Sequence, residues 1–339
     1  MAVPIWKDYV VNLGSSDSIQ YRILLHDVEY VIYTGKAYKK PGETNITVKV
    51  NDICADYIVN VLPTLSQAEF TLLNLPLQFD VQKYASSAWT TVASPTFLND
   101  WSYDYGYNPA TMGLAFPING KVDPRMPIVW TGYNVSQVNA TIYYKDGTSS
   151  IVIIAVEISN DFNNVFNYDF AHSVRCAGSG TAVFLPSAWD NVDRIVINGI
   201  TYRIEDTCCR YALYYLNAYG GWDCFLIEGN TLEADSLARH MMEVEYDNRS
   251  IENRGIRNYV NEITKGFTFH SGWLLGEQGE RMHHLLNSPN VYMYDMVLQQ
   301  MIPVTIPSTT CEYKNYKNNG NRLVDYTIQV EVAQNRIRR

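Results

Sequence analysis

Apolar and polar residues alternate with a period of two along much of the chain. Near the C-terminus, apolar residues occupy every second position, namely Val324, Tyr326, Ile328, Val330 and Val332. Successive side chains of a strand point to opposite faces of a sheet, so this pattern predicts a half-buried β-strand. Residues 200–205 alternate in the same way. The dominant period therefore predicts a mainly β protein.

Turn-forming dipeptides separate several of these segments. Asp146-Gly147 and Asn198-Gly199 each lie between two apolar runs. Asparagine or aspartate followed by glycine tolerates the positive φ angles of a type I′ turn, so both dipeptides predict two-residue hairpins. Residues 218–221 are predicted to close a looser hairpin between residues 211–215 and 224–227.

Helical patterns are few. The clearest covers residues 276–287, where the apolar residues Leu275, Met282, Leu285 and Leu286 form one stripe at helical spacing. Ser288-Pro289 follows and is expected to end it. Shorter helices are predicted at 51–61, capped by Asn51 or Asp52, and at 232–239.

The elements suggest a mainly β fold of antiparallel β-sandwich domains with a few short helices, one of them docked in the C-terminal domain. Three regions are predicted: a small β domain at 1–66, a sandwich-like domain at 67–165, and the largest domain at 166–339. The first two regions also fit a single domain. The middle region contains three tryptophans expected in a core or an interface: Trp89, Trp101 and Trp130.

The composition argues against several classes of function. The chain has 339 residues, 26 of them tyrosine, with 18% charged residues and a net charge of −9. An acidic chain argues against an obligate nucleic-acid binder, which needs a concentrated basic face. No apolar run is long enough to span a membrane, and the first residues do not resemble a signal peptide. Six cysteines are interpreted as reduced thiols that fill the core.

The residues that could perform chemistry do not form a recognised pattern. The adjacent pairs His283-His284 and Cys208-Cys209 have the wrong spacing for a zinc site, because neighbours on a helix or strand point apart. Neither a nucleophile elbow nor a phosphate-binding loop is present. Cys224 with His270 as its base is supported by residue type alone. We therefore expect no metal, no cofactor and no enzymatic activity.

Carboxylates beside aromatic residues leave glycan chemistry open. The acids in question are Asp100, Asp104, Asp223 and Glu228. Glycoside hydrolysis depends on the distance between two carboxylates across a cleft, which a sequence does not contain. A carbohydrate-binding module or adhesin that stacks sugars on tryptophans is an alternative, and a glycan-degrading enzyme is a weaker one.

Three parts of the chain resemble virion proteins of crAss-like short-tailed phages of gut Bacteroidales. The matching segments are 30–42 with 50–57, 211–223 with 225–229, and 285–292 with 302–304. The resemblance implies a structural role in a symmetric neck or tail ring, or a tail hub. It supplies no catalytic residues.

The resemblance also implies partners. These are identical subunits, other tail or neck proteins and the portal, with transient contact with passing DNA and none with a membrane. The protein would be assembled in the host cytoplasm and reside in the virion tail. Aromatic residues predicted at subunit contacts are Tyr211, Tyr214, Tyr215, Trp222 and Tyr292. The negative charge suggests channel walls that repel phosphates and let DNA slide.

Overall fold

The computed structural model describes residues 3–4, 8–26, 29–58, 70–72, 77–98, 120–135, 137–155, 178–184, 191–244, 255–307, 312–318, 321–333 and 336–338. Over these residues the chain is mainly β, with mostly antiparallel sheets and two helices. The predicted fold class, antiparallel β-sandwich domains with a few short helices, is confirmed.

The strands and helices are numbered in chain order. The N-terminal strands are β1 Val3–Pro4, β2 Val10–Gly14, β3 Ser18–Leu25, β4 Tyr30–Tyr38, β5 Ile46–Lys49, β6 Phe70–Leu72, β7 Leu77–Ala85, β8 Ala88–Ala93 and β9 Thr96–Leu98. The central strands are β10 Gly120–Val122, β11 Ile128–Val135, β12 Gln137–Tyr144, β13 Ser149–Ala155, β14 Gly178–Phe184, β15 Val192–Ile197, β16 Ile200–Ile204, β17 Tyr211–Leu216 and β18 Trp222–Leu226. The C-terminal strands are β19 Thr231–Val244, β20 Gly255–His270, β21 Leu274–Leu275, β22 Val291–Asp295, β23 Gln300–Thr305, β24 Glu312–Asn318, β25 Asn321–Val332 and β26 Arg336–Arg338. The helices are α1 Asn51–Ala55 and α2 Gly276–Leu286.

The chain forms two compact units, each built from separate stretches. Unit 1 contains residues 1–117, 127–202 and 216–223, and unit 2 contains residues 118–126, 203–215 and 224–339. The predicted boundaries at residues 66 and 165 lie outside the described residues, so the three-region division stays a prediction.

Unit 1 contains several small sheets. The first has the strand order β1-β9-β7-β3-β4, with β8 beside β7. Further sheets are β2-β5, β11-β14-β6 and, in order, β16-β15-β12-β13. The most completely buried apolar side chains of the unit include Leu13, Ile23, Ile46, Phe79 and Phe97. They come from different strands and form its interior.

Unit 2 is built on one long sheet. Its order is β18-β17-β22-β23-β25-β20-β19, with β21 and β24 beside β25 and β26 beside β20. Tyr211 of β17 lies 5.4 Å from Phe267 and 5.7 Å from Phe269 of β20, measured between ring centroids. Because β17 and β20 are not neighbours in the sheet, the two ends of the sheet face each other across a shared core.

Two of the predicted elements are confirmed in unit 2. The alternating C-terminal segment is β25, in which Val324, Tyr326, Ile328 and Val330 are buried. The helix predicted at 276–287 is α2, whose Met282 and Leu285 are completely buried in the core of the unit. One helix thus docks on the C-terminal sheet, as the apolar stripe predicts.

Both hairpins predicted from turn dipeptides are present, but one of them has a longer loop than predicted. Asn198 and Gly199 have φ values of 45° and 87° and form the predicted two-residue connection between β15 and β16. In the other hairpin the Tyr144 N–H donates to the Thr148 carbonyl at 2.9 Å, so the loop has three residues, 145–147. The prediction of a two-residue loop at that site was wrong, because a type I′ turn needs positive φ at both central residues and only Gly147, with φ of 86°, has it.

The short-helix predictions were partly wrong. Residues 232–239 lie in the strand β19, since they pair residue by residue with β20 along the chain. The helix α1 does begin at Asn51, but Val50 occupies the cap position and no side chain caps it. The Asn51 side chain accepts a hydrogen bond from the Tyr9 N–H instead. The helix ends at Ala55, so it does not extend over residues 56–58 as predicted, and residues 59–61 lie outside the described residues.

The cysteines are free thiols wherever the structure describes them. Cys54 and Cys224 are buried, as predicted for core residues, and burial raises the pKa of Cys54 to about 12. Cys208 is exposed, so for this residue the core prediction was wrong. It lies in the irregular connection between β16 and β17, which has no apolar interior to receive it. Cys176 and Cys311 lie outside the described residues.

Candidate assembly surfaces

The hairpin of β19 and β20 leaves most of its first strand uncovered. The two strands contain 14 and 16 residues, and the ladder runs from Thr231 opposite Phe269 to Val244 opposite Gly255. Residues 232–242 are all exposed. A strand that packs one face on a core buries every second residue, as β25 does. β19 therefore extends away from the core of its own unit.

The outer part of this hairpin is supported by few other strands. β25 pairs with residues 266–270 of β20, and β26 pairs with residues 261–263. From residue 260 toward the turn, β20 pairs within the described part of the chain with β19 alone. A two-stranded hairpin is at best marginally stable in water. This outer part is therefore a candidate for cover by another chain.

Apolar side chains are exposed along the hairpin. The exposed fractions are 61% for Leu232, 45% for Leu237, 63% for Met241, 50% for Met242, 70% for Ile256 and 53% for Tyr259. Leu237 and Met241 share the face of β19 on which Glu233 lies opposite the buried Phe267. Asp235 and Arg239 lie between these residues, so the face that forms the core of unit 2 continues outward as an exposed surface of apolar and charged side chains. Apolar side chains grouped on an exposed surface are typical of a contact site.

A polar network anchors the base of the hairpin. The Glu233 carboxylate accepts a hydrogen bond of 2.8 Å from the Tyr211 hydroxyl and lies 2.9 Å from Lys265 Nζ. Arg210 Nη1 lies 3.8 Å from this carboxylate, while its Nη2 lies 2.8 Å from Asp295. The hydrogen bonds from Lys265 and Tyr211 lower the pKa of Glu233. The network joins β19 to β17 and β22.

β4 presents a second uncovered surface, at the end of the first sheet of unit 1. It pairs with β3, and within the described residues no strand pairs with its other edge. The exposed fractions of its large apolar side chains are 60% for Tyr30, 39% for Val31, 38% for Tyr33 and 66% for Tyr38. A free strand edge presents backbone donors and acceptors to which another chain can add a strand.

The predicted interface aromatics lie mainly inside the protein. Tyr211, Tyr214, Tyr215 and Trp222 are buried, whereas Tyr292 is half-buried. Their burial leaves the first four side chains no surface for a neighbouring subunit. The aromatic residues of β17 belong to the core, whereas groups of exposed apolar side chains lie on the hairpin and on β4.

The structure describes four of the candidate catalytic residues, Asp223, Glu228, Cys224 and His270. Asp223 is buried, and the carboxylate of Glu228 pairs with Lys121 at 3.2 Å. Cys224 is buried, whereas His270 is half-buried with its Nδ1 3.2 Å from the hydroxyl of Thr327. Asp100 and Asp104 lie outside the described residues. Within the described ranges no three His, Cys, Asp or Glu side chains are grouped to hold a metal ion.

Two of the three predicted sugar-stacking tryptophans lie within the described residues. Trp130 is buried, and Trp89 is half-buried with the guanidinium of Arg22 4.5 Å from its ring centre. Trp101 lies outside the described residues. The described helices include none that is long and apolar enough to cross a membrane.

Comparison with known proteins adds little to this description. No family model and no curated protein matches the chain. Among solved structures, the chain is similar to one chain of the cryo-EM structure of the anti-feeding prophage (AFP) baseplate, 6-fold symmetrised. The two are 9% identical with a TM-score of 0.20, over 40% of this chain and 95% of that one. Similarity at this level carries no argument about the role of the protein.

Proposed function

We propose that the protein is a non-enzymatic structural subunit of a phage virion, present in several identical copies in a tail or neck ring or in a tail hub. The observation that carries the proposal is the β19–β20 hairpin, whose outer part exposes apolar side chains on an uncovered ladder. Such a surface is unfavourable in water, whereas neighbouring subunits in a closed assembly would cover it.

The sequence supports the virion context of the proposal. Three segments resemble virion proteins of crAss-like phages, which implies identical subunits, other tail or neck proteins and the portal as partners. The protein would then be assembled in the host cytoplasm and reside in the virion tail. A net charge of −9 agrees with a channel wall that does not hold DNA. A strongly positive surface toward the channel would contradict this part of the proposal.

The mass of the purified protein under native conditions tests the proposal. We expect species that are integral multiples of the 38.7 kDa chain at concentrations of about 10 µM, where interfaces of micromolar affinity form. Native mass spectrometry and light scattering both report this mass. A chain that stays monomeric at this concentration would contradict the proposal.

A hairpin variant tests the surface that carries the proposal. Met241→Ser combined with Ile256→Ser removes two exposed apolar side chains from the hairpin, and we expect assembly to be lost. Ile151→Ser combined with Leu298→Ser is the matched control, because these side chains are 69% and 55% exposed but lie outside the hairpin. Both variants should unfold at the wild-type urea concentration. Equal assembly of the two variants would show that the hairpin is not the contact.

A further inference from the structure

Two long strands end their sheets without a partner on one side. β19, with 14 residues, ends the sheet of unit 2, and β4, with nine residues, ends the first sheet of unit 1. Within the described residues no strand pairs with either outer edge. A ring of identical copies needs two different surfaces on each chain that fit each other. These two edges are different surfaces of suitable length.

The two edges carry exposed charges of opposite sign. Asp235 on β19 is exposed, and Lys265 opposite it in the ladder forms its ion pair with Glu233 at 2.9 Å instead. Lys36 on β4 is exposed, and its ammonium lies 5.2 Å from the ring centre of Tyr38 without forming an ion pair with a described residue. Opposite charges at facing positions of two strands stabilise their pairing and select one register.

One antiparallel register satisfies these charges. The regular part of β4 runs from Tyr33 to Tyr38, since its pairing with β3 shifts by one residue beyond Tyr33. When Lys36 lies opposite Asp235 in an antiparallel pair, Tyr33 lies opposite Ala238. Along these six residues of β4, the register places no two like charges opposite each other. Charge complementarity at Lys36 and an apolar contact at Tyr33 therefore favour the same alignment.

We infer that β19 of one copy adds to the free edge of β4 in the next copy, antiparallel, with Asp235 facing Lys36. The inference rests on the proposed ring assembly and names its two contacting surfaces. Addition would cover the exposed edge of the hairpin and the exposed tyrosines of β4 together. Each copy uses β19 toward one neighbour and β4 toward the other, so a closed ring leaves neither of these two edges unpaired.

Exchange of the two charges tests this inference. Asp235→Lys and Lys36→Asp each place like charges at the contact, and we expect each variant alone to need about tenfold more protein for half-assembly. An equimolar mixture of the two variants restores opposite charges at every contact in an alternating assembly. We expect the mixture to assemble at the wild-type concentration. Glu280→Lys is the control, because it makes the same charge change at an exposed position of α2.

The outcomes separate this inference from the proposed function. A monomeric wild type contradicts both. A wild type that assembles together with two single variants that assemble equally well contradicts the β4–β19 contact alone. Weakening by Asp235→Lys with no effect of Lys36→Asp overturns the inference, because the substituted lysine also lies opposite Lys265 within its own hairpin and can act there. Failure of the mixture to assemble when each single variant is weakened and folded also overturns it.

Discussion

The hydroxyl of Tyr211 donates a hydrogen bond of 2.8 Å to the carboxylate of Glu233, and so joins β17 to the base of the β19–β20 hairpin. β17 and β19 lie far apart in the order of the sheet. The bond therefore fixes the hairpin relative to the opposite side of the core of unit 2. Lys265 holds the same carboxylate from the neighbouring strand at 2.9 Å.

Removal of this anchor should loosen the hairpin. Glu233→Ala deletes the bonds to Tyr211 and Lys265, and we expect the free energy of unfolding to fall by about 1 kcal/mol, because the carboxylate is partly exposed. Amide hydrogen exchange should accelerate at 231–236 and 264–269. Arg239→Gln, at an exposed position of the same strand opposite Asn261, is the control and should leave both quantities unchanged in the monomer. Equal exchange in Glu233→Ala and wild type would show that the hairpin is held by its ladder alone.

Asp123 should contribute to stability in a pH-dependent manner. Its buried carboxylate accepts hydrogen bonds from Arg125 and Thr207. Burial by itself raises the pKa of this carboxyl, but the bonds from Arg125 and then Thr207 outweigh it, so the net pKa lies below 3.8. Because the unfolded chain takes up the proton first, this stabilisation is complete above pH 3.8 and is lost as the pH falls through the folded pKa.

Replacement of Asp123 tests the direction of this pH dependence. Asp123→Asn should lower the free energy of unfolding by about 2 to 3 kcal/mol at neutral pH, and by progressively less as the medium becomes strongly acidic. Urea unfolding at several pH values measures both effects. Asp56→Asn, at an exposed side chain just after α1, is the control and should be neutral near pH 7. If the loss of unfolding free energy in Asp123→Asn did not depend on pH, the stabilisation would not come from the ionised carboxylate.

Gly229 should not tolerate a side chain. Its N–H donates to the His270 carbonyl at 3.1 Å, and a Cβ at this position would overlap that carbonyl oxygen. Gly229→Ala should therefore separate the chains at the base of the hairpin and lower the unfolding midpoint in urea. Gly266→Ala is the matched control, since its Cβ would lie 3.4 Å from the nearest atom. Equal unfolding midpoints for the two variants would show that the base of the hairpin accommodates the added methyl group without loss of stability.

Elements with a strong local pattern were predictable from the sequence. The alternation in β25 and the stripe of α2 each reflect one apolar face, which the residue spacing alone displays. Asn198-Gly199 forms its turn because the required φ angles suit these residue types. These features depend on neighbours along the chain.

The hairpin was not predictable in the same way. Residues 232–239 include leucine, alanine, glutamate and arginine, which favour a helix locally, and they are strand because they pair with β20. Thr231 lies opposite Phe269, far along the chain. The alternation of Phe267 and Phe269 within β20 is a signal for one of the two strands, and it does not identify the partner.

The tyrosines show the same division between sequence and structure. Their number and alternation established a β protein rich in amphipathic strands. The tertiary structure decided that Tyr211, Tyr214 and Tyr215 are buried and that Tyr30 and Tyr38 are exposed. The period of two shows that a strand has one apolar and one polar face, and turn dipeptides show where the chain reverses. Which strand covers which face depends on contacts between distant residues, because burial is a property of the packed chain.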